Sequence, residues 1–205
     1  MFRRKLMKKI LLFSVLILSL VFCSCSKKEE EKQSVNRNIE KALPSFSTSQ
    51  MELLLKKHTN SAFTEDVVTV AQIENILKAA VNSPSATNSK TLHFSAVMEE
   101  EHMKQISPKA TKGCVVIVVS SIDSNSVDSG IATQSIYLAA RANGLNADIN
   151  TNGANIINTG NLKENYGVPN GYSAVSCICI GNAKENPTET YDNEIKIDEY
   201  VTYIE

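Results

Sequence analysis

Ile73, Ile76, Leu77, Ala80 and Val81 recur at the i, i+3, i+4, i+7, i+8 spacing of a single helical face. Thr69 and Gln72 precede them at the spacing of a capping box, so the pattern predicts a helix starting at Thr69. Pro84 ends it, because proline disfavours the α region for the residue before it and brings no N–H of its own. Small polar residues follow (Ser85, Thr87, Asn88 and Ser89) before residues 92–98 take up a strand pattern. Residues 99–105 read as a short polar helix or turn. Residues 114–120 form a continuous β-branched run bounded by Gly113, the pattern of a strand buried on both faces.

A helix rich in small residues comes next, with Asp128 as its expected cap and Asn143-Gly144 as its stop. Ile131, Ser135, Leu138 and Ala142 line one stripe of it, beside Ala132, Ile136 and Ala139. Further on, the pattern predicts a short strand at residues 146–149, a flexible polar turn at 150–153, a weakly amphipathic helix at 155–166 and an alternating strand at 173–181. A short helix at residues 50–57 precedes all of these, and a β-like stretch at 200–204 ends the chain. The class is α+β.

The first residues stand apart from this pattern. Arg3, Arg4, Lys5, Lys8 and Lys9 precede an apolar run from residue 10 to 23, and its 14 residues fall short of the ~20 that span a bilayer. The run reads as a secretory signal. Ser24-Cys25 closes it as a lipobox would, so residues 1–24 are expected to be removed and Cys25 acylated. Cys23 is the alternative acceptor, and a non-cleaved anchor is the other reading. Residues 25–48 are rich in Lys, Glu, Ser, Asn and Gln and lack the apolar surface to order themselves, which makes them a tether. The expected product is an exported, membrane-anchored lipoprotein, periplasmic or at the cell surface, with one domain at residues 49–205.

Export changes the charge balance. Without the five basic residues of the signal, 16 basic face 22 acidic residues, a net charge of −6 that argues against nucleic acid as a partner. Cys114, Cys177 and Cys179 remain in the domain, all in apolar runs. Cys177 and Cys179 share one strand face, which leaves buried free thiols or a Cys114 link to one of them as the alternatives.

Candidate chemistry is sparse. No carboxylate pair, nucleophile–base set, phosphate-binding glycine loop or metal-ligand spacing is visible, and His58, His93 and His102 are scattered. Two stretches offer polar groups on a pinned backbone. Ser85, Thr87 and Asn88 form a polar hook between helix and strand, suited to a ring whose edge alternates donors and acceptors. Cations and hydroxyls from Lys56 to Ser61 follow the first helix and suit an anion.

Ser83-Pro84-Ser85-Ala86-Thr87-Asn88-Ser89 with His93-Phe94 resembles the S/A-P-S-x-x-N-x-Q-P-W-x-F signature of the FMN-dependent nitroreductase family, with Lys90, Thr91 and Leu92 in place of Gln-Pro-Trp. Lys57-His58-Thr59-Asn60-Ser61-Ala62-Phe63 resembles that family's phosphate-holding R-R/H-S-x-R/K-x-F. Lys57 stands for the first Arg, Thr59 for the Ser and Ser61 for the second cation. Asp128-Ser129-Gly130 through Gly144-Leu145 is similar to its D-x-G-x-A-x-Q-N-x-x-L-A-A-x-x-x-G-L helix, which lies at the core of the family's dimer. Gly167 to Tyr172 is similar to its G-I/V-P-x-G-Y/F. The resemblance covers roughly residues 50 to 205.

That resemblance implies a nitroreductase-like fold, a central mostly antiparallel sheet flanked by helices, with the C-terminal strand exchanged in a homodimer. It implies FMN as cofactor, held by Lys57, His58, Thr59, Ser61, Pro84, Ser85, Ala86, Asn88, Lys90, Thr151, Asn152, Gly153 and Lys196. Thr151 and Asn152 would offer backbone N–H groups to the flavin N5 edge, and Lys196 would keep one contact of the family's K-x-R pair while Glu194 opposes it. The slot would lie between the hook of one copy and the Thr151-Asn152 turn of the other. Helices that cover the flavin in the family have no counterpart between Phe94 and Cys114. The implied activity is electron or hydride transfer through flavin N5 to a small-molecule acceptor. The alternative is a non-enzymatic lipoprotein that retains the fold to bind a flavin or another ligand.

Overall fold

The computed structural model describes residues 48–58, 62–88, 90–123, 127–185, 189–191, 196 and 199–204, all within a unit spanning residues 45–205. Residues 1–47, on which the expected signal, Cys25 and nearly all of the expected tether fall, lie outside the described residues. Among the described residues, no helix is long and apolar enough to cross a membrane.

In chain order the elements are α1 (Thr48–Leu55), β1 (Lys56–His58), α2 (Val70–Val81), β2 (Leu92–Val97), α3 (Glu100–Ile106) and β3 (Val115–Ser121). Then come α4 (Val127–Ala142), β4 (Asn146–Asn150), α5 (Thr151–Thr159), β5 (Ser173–Gly181) and β6 (Glu189–Tyr191). Four strands form one sheet in the order β2-β3-β5-β4, antiparallel throughout. β1 and β6 pair separately, with Lys57 opposite Thr190.

The run of β-branched residues in β3 makes it the spine. Every β3 residue is buried, and each fully buried Val or Ile contributes about 1.5–3 kcal/mol. Alternation then divides the core in two. Val115, Ile117 and Val119 point toward Ile73 and Ile76 of α2 and Ile136 and Ala140 of α4. Val116 and Val118, with Cys177 and Cys179 of β5, point toward Met103 and Ile106 of α3 and Ala154 and Ile157 of α5. A helical layer therefore covers each face, as expected for a flanked antiparallel sheet.

The capping box of α2 is formed as the sequence predicts. Gln72 N–H donates to Thr69 Oγ1 at 3.3 Å, and Thr69 N–H donates to Gln72 Oε1 at 3.0 Å. β5 has the expected bounds, and Cys114, Cys177 and Cys179 are buried free thiols.

Four expectations need correction. The first helix stops at Leu55, and Lys56–His58 is a short strand because it finds β6 as a ladder partner. Residues 150–153 are no loose turn: Asn150 is the N-cap of α5, its side chain accepting the Gly153 N–H at 3.2 Å, and α5 begins at once and ends at Thr159. Asp128 does not cap α4, since it lies inside the first helical turn and its carboxylate is engaged elsewhere. Residues 200–204 are irregular within the single chain and pair with no strand among the described residues, leaving Tyr200 and Ile204 exposed.

The buried stripe of α4 also differs. Ser129, Ala132, Thr133, Ile136 and Ala140 face the sheet, whereas Ile131 and Leu138 are only half-buried and Ala142 is exposed. Small residues surround this helix on all sides, so its periodicity alone does not choose a face.

Candidate functional site

The chain leaves α2 through Asn82 and Ser83. Ser83 N–H donates to Ala80 O at 3.2 Å and its hydroxyl to Ala79 O at 3.2 Å, which fastens the first residue of the hook to the helix end. At the far side, Ile122 N–H donates to Thr91 O at 3.4 Å and the chain enters β2. Between these anchors Asn88 and Lys90 both adopt φ near 53°, a left-handed region that asparagine adopts readily but that costs Lys90 roughly 1–2 kcal/mol. One hydrogen bond among the described residues crosses from this span to a neighbouring element: Ala86 N–H donates to Asp128 Oδ1 of α4 at 3.2 Å.

The hook, the end of α2 and the start of β2 enclose a cavity of about 350 Å³. Leu77, Ala80, Val81, Leu92 and Phe94 give it apolar walls, while Ser85, Lys90, His93 and Asp128 bring the polar groups. This balance of mostly apolar lining with a few convergent polar groups is that of a small-molecule site. His93 Nδ1 is buried and has no hydrogen-bond partner among the described residues.

A second set of donors sits at the start of α5. Asn150 satisfies the Gly153 N–H and itself donates from Nδ2 to Ile106 O at 2.8 Å, which locks the cap onto α3. Thr151 and Asn152 occupy the first two helical positions, where backbone N–H groups have no partner within the helix. Gly153 is there for space: a β-carbon would lie 2.5 Å from Ile106 O.

Of the residues expected to form one site, Pro84, Ser85 and Lys90 line the hook cavity, and Ala86 is tied to its wall by Asp128. Thr151, Asn152 and Gly153 lie elsewhere in the chain. The hook leads into β2 and α5 follows β4, and these are the two edge strands of the four-stranded sheet, three inter-strand steps or roughly 14 Å apart. Lys57 and His58 are in β1. Lys196 is exposed and sits 3.8 Å from Glu199. Thr59, Ser61, Ser89 and Glu194 lie outside the described residues. Among the described residues, no group of three or more His, Cys, Asp or Glu side chains is placed to hold a metal ion.

Two lining residues escaped the sequence reading. Asp128 carried a signal, an acid at a helix start, but the partner it serves is 42 residues away. His93 entered only as a neighbour of Phe94 in the signature, since a lone histidine in a strand has no pattern of its own to read.

Known proteins give this geometry a context. The Nitroreductase family model matches residues 54–121, the stretch that holds α2, the hook, β2 and β3. No curated protein matches the sequence. Among solved structures, an FMN-dependent nitroreductase from Clostridium difficile is 22% identical with a TM-score of 0.61, covering 75% of this chain and 98% of that one. A nitroreductase with bound FMN from Desulfitobacterium hafniense is 19% identical with a TM-score of 0.62, over 76% of this chain and 97% of the other. One from Bacteroides fragilis, also with bound FMN, gives 14% identity and a TM-score of 0.62 over 76% and 98%. Over residues 54–121 the chain is thus similar to the nitroreductase family, and across residues 45–205 it shares the nitroreductase fold.

Proposed function

We propose that this protein is an FMN-dependent oxidoreductase that works as a homodimer and is held at a membrane by a lipid on Cys25. The observation that carries the reading is the hook cavity, which lies in the segment that matches the family model and has the size and lining of a small-molecule site. The residues present fit a flavin. The hook cavity offers Ser85, Lys90 and Asp128 beside apolar walls. The start of α5 offers two amide N–H groups and the positive end of a helix, both suited to a partner that gains negative charge.

In this reading Pro84, Ser85, Ala86, Asn88 and Lys90 hold the ring, and Thr151 and Asn152 present amides to its N5 edge, with Gly153 keeping their turn close to the sheet. Lys57, His58, Thr59, Ser61 and Lys196 hold the phosphate. Bound FMN supplies hydride or electron transfer through its N5, with a small molecule as acceptor. The hook and the α5 turn come from opposite sheet edges, so a second copy that brings its turn to the first copy's hook completes the slot. Tyr200 and Ile204, exposed in the single chain, supply apolar surface for such a partner. After export the lipid on Cys25 holds the domain on its tether, periplasmic or at the cell surface.

The test is to purify the chain lacking its signal, add FMN, and record its visible spectrum and its mass in solution. A yellow dimer that bleaches on reduction and reoxidises with a nitroaromatic or quinone acceptor supports the reading; a colourless protein sinks it. Lys90, Thr91 and Leu92, which replace Gln-Pro-Trp, favour a second reading, a non-enzymatic lipoprotein that binds the flavin or another ligand. Bound flavin that is not reoxidised by any acceptor would mark that case.

A further inference from the structure

We infer that Asp128 is a positioning residue for the cofactor slot, a latch from α4 that holds the hook in its binding shape; this rests on the flavin reading above. Three observations converge on it. The Asp128 carboxylate accepts the Ala86 N–H at 3.2 Å, and Ala86 stands between Ser85 and Asn88 in the hook itself. Lys90, two residues beyond the left-handed Asn88, is itself held in the left-handed region, which for a lysine persists only where the surroundings over-determine it. Asp128 also lines the cavity with Ser85 and Lys90, so the carboxylate that fixes the backbone is part of the wall it shapes.

The bond is charge-assisted, a carboxylate accepting from an amide, and at 3.2 Å it is long and open to solvent. Asp128 stands in the first turn of a 16-residue helix whose own orphan N–H groups would be its ordinary partners, yet it reaches a residue 42 positions back. The hook is pinned to its own helix at Ser83 and, at Thr91, to Ile122 just past β3, and the Asp128 contact fixes the span between. Without it the two left-handed residues relax toward ordinary backbone angles, and the polar groups of the hook no longer converge on one ring.

The experiment compares Asp128→Ala and Asp128→Asn with the unaltered chain, reading FMN affinity, the Tm of the flavin-free protein and hydrogen exchange at the Ala86 amide. Asp128→Ala should weaken FMN binding tenfold or more and speed Ala86 exchange, while the flavin-free Tm moves by a few degrees at most. Asp128→Asn keeps a carbonyl oxygen in place and should restore most of both losses. Affinity and Ala86 exchange unchanged in Asp128→Ala would overturn the latch, as would a failure of Asn to rescue either readout. Should Asp128→Ala not fold, Asp128→Asn and Asp128→Ser decide: affinity and Ala86 protection falling together from Asp to Asn to Ser support the latch, and unequal trends overturn it. An unaltered chain that binds no FMN would end the flavin reading but not this test, because Ala86 exchange still reports whether Asp128 holds the hook.

Discussion

Gly153 of α5 rests on Cys177 of β5 so closely that a β-carbon at Gly153 would lie 3.0 Å from the Cys177 sulfur. The same atom would lie 2.5 Å from the Ile106 carbonyl oxygen, so neither neighbour leaves room. Gly153→Ala must therefore lift the first turn of α5 off the sheet, at about 1–3 kcal/mol for overpacking. Urea denaturation should show that loss. FMN affinity should drop as well, since Thr151 and Asn152 ride on the displaced turn.

A buried hydroxyl pair ties α4 to the sheet. Thr133 Oγ1 donates to Ser129 O at 2.8 Å and lies 2.7 Å from Ser176 Oγ of β5. Thr133→Val keeps the shape and removes the oxygen, leaving the buried Ser176 hydroxyl without this partner at a cost of about 1–2 kcal/mol. Thr133→Ser retains the bond and should cost less. Equal Tm values for the Val and Ser variants would show that the pair does not hold the helix.

The elements legible in the sequence are those whose cause is local. Thr69 and Gln72 specify the start of α2 by contacts three residues apart, and the β-branched run of β3 needs no partner to be recognised as doubly buried. The misread ones depend on distant residues. Lys56–His58 becomes a strand only because Glu189–Tyr191 lies beside it, and Asp128 serves Ala86 rather than its own helix. Asn150 is different: its capping role was local, but Thr151, Asn152 and Gly153 have poor helix propensity and read as a turn. Burial of Ala154 and Ile157 against the sheet outweighs that propensity. The hook half of the site was legible as polar residues between helix and strand, whereas the cavity beside it needs Leu77, Phe94 and Asp128 brought together by the fold.

Cys114 gives stability a pH dependence of definite sign. The Cys179 thiol and the Thr111 hydroxyl and N–H all bond to its sulfur, the last two at 3.3 and 3.4 Å, and hold its pKa below the ordinary thiol value against the opposing effect of burial. An unfolded thiol keeps its proton to about pH 8.5, so in the range just below that the unfolded chain binds more protons and stability rises with pH. Above that, the sign reverses. Burial pushes Cys177 up to about 12, and its bond to Cys114 holds the Cys179 proton, so both stay protonated in the fold while the unfolded thiols ionise. Denaturation from pH 6 to 10 should show a maximum near pH 8.5. Cys114→Ala should flatten the rising limb, and parallel curves for the two proteins would remove Cys114 as its source.

His93 bears on stability and not on the hook cavity. Its Nδ1 is buried with no hydrogen-bond partner among the described residues, while its ring meets Tyr172 edge-on at a centroid distance of 6.4 Å. Phenylalanine preserves that aromatic contact and removes the unpartnered nitrogen, so His93→Phe should stabilise the ligand-free protein by up to about 1 kcal/mol. Tyr172 packs on the sheet face that carries Val97, whereas Phe94 packs on the α2 side where the hook cavity lies, so the His93 ring points away from the hook. The same substitution should therefore leave FMN affinity unchanged, which titration of the flavin's visible absorbance would measure. A gain in stability with affinity unaltered is the expected pair of results, and a several-fold loss of affinity would show instead that the ring reaches the flavin.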